Sequence, residues 1–320
     1  MATTLSEIIR NSKTQQSPTA QMPDPAPTRV QEPRMTKEEY AEHMTQQRTS
    51  LYGLRDRTVR ESFIDETALD RALRAIAQYD RYSCGNALLI MAQDPRATLV
   101  LTYDDWKNLH DRQVKRYPKD KHGIQVIERW EYARNDGSSG YSYDIVSVHD
   151  IRNTVGTPLA SSASKPTPED LIMATLAANK LNFVHDEAVN DISVDMDSKT
   201  LTAPDMDASL PMTFFLVTAA IIQAKKPELL PVECEAAALV TCYRCGLAPQ
   251  VDLSELAKGG QMLDERGQMK VLSGIGDAGK TQARLIRREL TKDAPQLSPT
   301  QRTQSPPKPS KEVREPERGD

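Results

Sequence analysis

Five cations fall between positions 112 and 121: Arg112, Lys115, Arg116, Lys119 and Lys121. Asp120 is the only acid among them. A loop of this kind can neutralise the phosphates of a nucleic acid. Tyr82, Tyr103 and Tyr117 stand close by in the chain and could stack on bases, a sequence-tolerant mode suited to single strands. A cationic run is equally the mark of a solvated connection, and on the residues alone both readings stand. Asn86 is similarly open, either capping backbone groups or contacting a nucleotide.

Other constellations are weaker. Gly274 to Thr281 reads GIGDAGKT and satisfies the phosphate-loop pattern G-x-x-x-x-G-K-(S/T). A working phosphate loop follows a buried strand and opens a helix, with a later strand supplying an acid for magnesium. Here a proline-rich tail follows, and the apolar phase runs through the glycines as if they were helical. Nucleotide binding is therefore an alternative, not the main reading. Cys242 and Cys245 form a lone C-x-x-C with no second pair, which suits buried, inert thiols better than a structural zinc. No two of the five histidines have the spacing of two zinc ligands on one helical turn.

These groups need elements to position them. The stretch from Tyr79 to Ile124 joins an apolar run (Ala87 to Met91), a stop at Pro95, a strand-like ATLVLTY, Trp106 and the basic loop. Gly85 and Asn86 are expected to interrupt a helix there. Trp106 is expected in the core, because it follows a strand and has Leu109 three positions on. Upstream, Thr36 and Glu39 form a capping box, and Asp65 opens a helix whose Leu69, Leu73, Ile76 and Tyr79 share one face. Downstream, GIQVIERWEYA and GYSYDIVSVHDI are two strands joined by a turn-rich segment and should form an antiparallel hairpin.

The same stretch resembles the N-terminal single-stranded-DNA-binding domain of ArdC-type antirestriction proteins and the LtrC-like proteins of conjugative elements. The matching residues are Tyr82, Ser83, Asn86, Leu89, Ile90, Gln93, Pro95, Ala97, Thr98, Val100, Tyr103 and Trp106. They continue with Arg112, Val114, Lys115, Arg116, Gly123 and Ile124. The departure is a longer loop in which Tyr117 and Pro118 replace the family's first loop glycine. The resemblance implies single-stranded-DNA binding through Arg112, Lys115, Arg116, Lys119 and Lys121, with Tyr82 and Asn86 assisting.

The second half resembles the same family's zinc-peptidase-like domain. A hairpin precedes an apolar helix, and a later helix carries Glu233, Glu235, Ala236, Val240 and Gly246 in the family's E-x-E-A-x-x-x-V order. Where that family has H-E-x-x-H, this chain has Val217, Thr218, Ala219, Ala220 and Ile221. None of these supplies an imidazole or a carboxylate base. Glu235 fits an ordinary acid in a first helical turn, with a vestigial ligand position as the other reading. The implied domain is a degenerate zinc-peptidase fold with no metal, cofactor or catalytic residue, kept as structure or as a surface for a protein partner. An active zinc metallopeptidase with another site is the remaining enzyme alternative.

Composition bounds these readings. A chain of 320 residues with 21 prolines, 5% aromatics and a formal net charge of -4 has no global basic footprint, so any nucleic-acid binding must be local. Four cysteines and no signal-peptide pattern in MATTLSEIIRNSK lead us to expect a reducing cytoplasm. The apolar run from Phe214 to Ile222 is short of the roughly 20 residues that span a bilayer, so no membrane partner is expected. The expected fold class is α+β. Disordered tails are expected at 1–35 and 292–320, with the ArdC-like domain at 36–155, a linker at 156–166 and the peptidase-like domain at 167–291. The expected role is an antirestriction-like, single-stranded-DNA-binding accessory protein of a plasmid or conjugative element.

Overall fold

The computed structural model describes residues 36–117, 122–134, 137–159, 165–205 and 208–292. The expected tails, apart from Lys292, and the centre of the expected linker lie outside these residues. By packing the chain divides after Gln47, and the described residues from Arg48 onward form one compact unit. The mixed α+β character agrees with the sequence.

Helix α1 (Lys37–Glu61) starts at the expected capping box. The Thr36 N–H donates to Glu39 Oε2 at 2.8 Å, and the Glu39 N–H donates to Thr36 Oγ1 at 3.2 Å. Helix α2 (Glu66–Gln78) is capped by Asp65, whose carboxylate accepts from the Ala68 N–H at 2.7 Å, and it buries Leu69, Leu73 and Ile76. Helix α3 (Cys84–Gln93) differs from expectation. Ser83 caps it, so Gly85 and Asn86 lie in its first turn and the break falls earlier in the chain.

Strand β1 (Val100–Thr102) is shorter than ATLVLTY suggests, because the Thr102 hydroxyl accepts from the Asp105 N–H and starts helix α4 (Tyr103–His110). Strand β2 (Arg112–Val114) follows. The expected hairpin is strands β3 (Ile124–Ala133) and β4 (Ser139–Asp150), paired antiparallel from Ile124↔Val148 to Ala133↔Ser139. The sheet order is β1-β4-β3, and β2 forms a separate ribbon with β5 (Thr154–Gly156).

The second half contributes α5 (Pro168–Asn179), then β6 (Asn182–His185), β7 (Ser193–Asp195) and β8 (Thr200–Ala203) in the order β6-β8-β7. Helices α6 (Leu210–Lys225), α7 (Pro231–Arg244), α8 (Ser254–Gln261) and α9 (Glu265–Leu290) complete it. One apolar core runs through both halves, joining Leu73, Ile76, Leu88 and Val148 to Phe214, Leu239, Leu272 and Ile275. The segment expected to separate two domains therefore divides no core.

Candidate nucleic-acid interface

Three residues expected to meet a nucleotide instead close the fold. Asn86 is buried, its Nδ2 donating to the Ile127 carbonyl at 2.8 Å and its Oδ1 accepting from the Ile127 N–H at 3.0 Å. Two helical turns later Gln93 repeats the arrangement on Gln125, at 2.8 and 2.9 Å. The amides behave as a short stand-in strand, satisfying the backbone groups along the outer edge of β3. Tyr82 is half-buried, and its hydroxyl donates to the Val100 carbonyl at 2.9 Å. Burial and then the charge of Asp105 push that phenol well above its ordinary pKa.

Arg112 is a clear departure from a phosphate-facing cation. It is buried, with Nε donating to Thr154 Oγ1 at 2.8 Å and Nη1 donating to the carbonyls of Gly156, at 3.2 Å, and Thr157. Its guanidinium also lies over the Trp106 ring, 6.0 Å from the centroid. Trp106 is fully buried as expected, its indole donating to the His149 carbonyl at 2.7 Å.

Lys115 and Arg116 are exposed, the Lys115 amine donating to the Arg152 carbonyl at 3.1 Å. Tyr117 is held beside them by His149, hydroxyl to Nδ1 at 3.0 Å with ring centroids 5.5 Å apart. Burial lowers the pKa of that imidazole. Lys119 and Lys121 lie outside the described residues.

The sequence did not single out the outer part of the hairpin. Directly opposed residues of an antiparallel pair share a face, so Val126, Val146 and Val148 lie on one side and the odd-numbered residues on the other. Val126 and Val148 are fully buried. Toward the turn, both faces become open. Trp130 and Tyr132 extend the core-side face, while Arg129, Tyr141 and Tyr143 extend the opposite one, and the four aromatics are each roughly half exposed. The Tyr132 ring lies across Gly140, where a Cβ would come within 2.6 Å of it. The Arg129 guanidinium stacks on Tyr141, 4.5 Å from the ring centroid. His149, carrying Tyr117, belongs to the same odd-numbered face farther along β4. Aromatics at both parities on one strand pair were the available signal, because such a pair has no polar face.

A cleft of about 740 Å³ lies at the root of this arm, bordered by the first turns of α3 and α4 and by β3. Arg81, Tyr82, Ser83, Arg129 and Tyr143 are among the residues that line it. Arg55 also lines it but is neutralised by Asp56 at 2.6 Å. Asp105 and Glu128 share the same space. Burial, then the nearby Asp105, raises the pKa of the Glu128 carboxyl. Among the described residues neither carboxylate has a side-chain hydrogen bond or ion pair.

In the second half, Val217 and Ile221 sit in a small apolar cluster with Leu181, Leu201 and Ala203. Thr218 is buried, its hydroxyl without a partner among the described residues. The Glu233 carboxylate caps its own helix, accepting from the Leu230 N–H at 2.9 Å. Gly274 to Thr281 is the interior of α9, so the backbone N–H groups a phosphate would use already serve the helix. Gly279 instead permits close crossing of α7, since a Cβ there would fall 2.5 Å from the Ala237 carbonyl. Lys280 is buried and donates to the Tyr82 carbonyl at 2.8 Å. Cys234, Cys242 and Cys245 are free thiols whose pKa burial raises, to about 11 for Cys234 and Cys245. Among the described residues, His185, Glu187 and Asp205 could bring three metal-ligating atoms together. All three are exposed, and the two carboxylates approach different ring nitrogens, at 3.8 and 3.7 Å, as surface ion pairs do. Among the described residues no helix is long and apolar enough to cross a membrane.

No family model and no curated protein matches the chain. Among solved structures it is similar to the antirestriction ArdC protein from the R388 plasmid. The metal-free structure is 14% identical, covers 64% of this chain and 84% of that one, and has a TM-score of 0.44. The Mn(II)-bound structure is 13% identical, covers 65% and 85%, and has a TM-score of 0.45.

Proposed function

We propose that this protein binds single-stranded DNA along the odd-numbered face of the β3–β4 hairpin, as an antirestriction-like accessory protein of a plasmid or conjugative element. The observation that carries the reading is the arm itself. Exposed Tyr141 and Tyr143, with the Arg129 guanidinium on the Tyr141 ring, form a stacking platform, and exposed Lys115 and Arg116 adjoin Tyr117 farther along the same face. Bases stack on such rings whatever their sequence, while the cations neutralise phosphates. The motif residues named in the sequence support the mobile-element role, since they follow the ArdC pattern.

On the same reading the second half is a catalytically silent peptidase-like body that offers a surface to a protein partner. Val217 to Ile221 supply no zinc ligand and pack among apolar side chains, which supports silence.

The test is fluorescence anisotropy with a labelled single-stranded oligo-dT in low salt. Saturable binding that weakens as salt rises is expected, and a flat titration would remove the proposal. Metal analysis of the purified protein checks the second half, where stoichiometric zinc with peptide hydrolysis would favour the enzyme alternative.

A further inference from the structure

The cleft at the root of the arm differs from the arm in kind. Stacking surfaces are indifferent to base identity, but this concavity holds two carboxylates, Asp105 and Glu128, that have no side-chain partner among the described residues. Both are half-buried, and the cleft also carries Arg81 and Arg129. Unpaired acids drawn partly out of water are costly, and they are satisfied by a ligand that brings N–H donors.

Among the bases, guanine presents two adjacent donors, N1–H and the N2 amine, that one carboxylate accepts side by side. Its O6 and N7 acceptors suit an arginine. In a single strand that Watson–Crick edge is free to be read. A volume of about 740 Å³ falls within the range of small-ligand sites and admits one base with its sugar. Tyr143 lines both the arm and the cleft, so a strand on the arm delivers a base directly to the opening.

We infer that the cleft reads a guanine of the bound strand, with the Glu128 or Asp105 carboxylate accepting from N1–H and N2–H and Arg81 donating to O6 or N7. This rests on the single-strand reading above and adds base selectivity to it.

The experiment compares short labelled oligo-dT strands bearing one central dG, dA or deoxyinosine, the last lacking only the N2 amine. The dG strand is expected to bind the wild-type protein at least about fivefold more tightly than the other two, the lower end of what a bidentate base contact discriminates. Glu128→Gln and Asp105→Asn are chosen as near-isosteric changes, with melting curves to confirm folding. At least one of them should abolish the dG preference while plain oligo-dT affinity stays within twofold. Equal binding of the three strands by a protein that binds oligo-dT would overturn the guanine inference and leave the strand-binding reading intact. A preference surviving in both folded variants would likewise overturn it. Binding to none of the strands would overturn both readings, and saturable binding of dGMP without any strand binding would assign a free nucleotide instead.

Discussion

The motif-rich stretch from Tyr79 to Ile124 and the outer hairpin from Glu128 to Tyr143 invert the usual relation between pattern and function. In the first, polar side chains turn inward: Asn86 and Gln93 onto β3, Tyr82 onto Val100 and Arg112 onto the β2–β5 ribbon. In the second, aromatic side chains turn outward on a ribbon whose far end has little of the core beneath it. A recognisable pattern can thus mark how a scaffold closes, while the surface it presents is written in less distinctive residues.

The contrast can be broken by exchange of phenotypes. Trp106→Ala should cost about 3–5 kcal/mol of stability, the usual range for a buried aromatic, read by denaturant unfolding. Next, Asn86→Ala should cost roughly 2 kcal/mol, because two backbone groups of Ile127 lose their partners, while molecules that remain folded bind oligo-dT normally. Paired Tyr141→Ala and Tyr143→Ala changes should do the opposite. Affinity should fall about tenfold or more, as stacking losses of ~1–3 kcal/mol per base imply, with little change in melting. Arm variants that unfold early, or folded Asn86 variants that no longer bind DNA, would erase the distinction.

A smaller effect is expected from Lys115→Ala with Arg116→Ala. The slope of log affinity against log salt should flatten by about 0.7 for each phosphate the variant no longer neutralises.

Acid sharpens the scaffold side. Burial opposes the charge of Asp150, but the Thr98 N–H and the Arg152 side chain, at 2.6 and 2.5 Å, together hold its carboxyl below the usual carboxylate range. A depressed carboxylate contributes stability above its unfolded pKa and loses it as pH falls through the folded one. Melting temperature should therefore drop as pH falls into and below the ordinary carboxylate range near 3.8, and Asp150→Asn should weaken that dependence.

Much of this scaffold was legible in the sequence. Capping signals at Thr36 and Asp65 are local and decide helix starts by themselves, and two strand-like runs joined by a turn-rich segment specified the hairpin. Helical phase through Gly274–Thr281 outweighed a complete phosphate-loop pattern. Less visible was Thr102, whose cap converts a strand-like run into a helix, and the short strand β6, whose pairing with β8 is parallel and non-local. The site was harder to read, because whether Arg112 meets solvent depends on carbonyls more than 40 residues away. Likewise, nothing within β3 or β4 reveals where the layer under the hairpin stops.

Lys280 reaches from the last helix to the carbonyl of Tyr82, the residue just before Ser83 starts α3 at the cleft, and the interior is common to both halves. Cutting the chain in the serine-rich stretch near residue 160 would consequently not liberate an autonomous DNA-gripping module. It would strip the cover from Ile76 and Leu88 and leave a fragment that needs its silent companion in order to hold its shape.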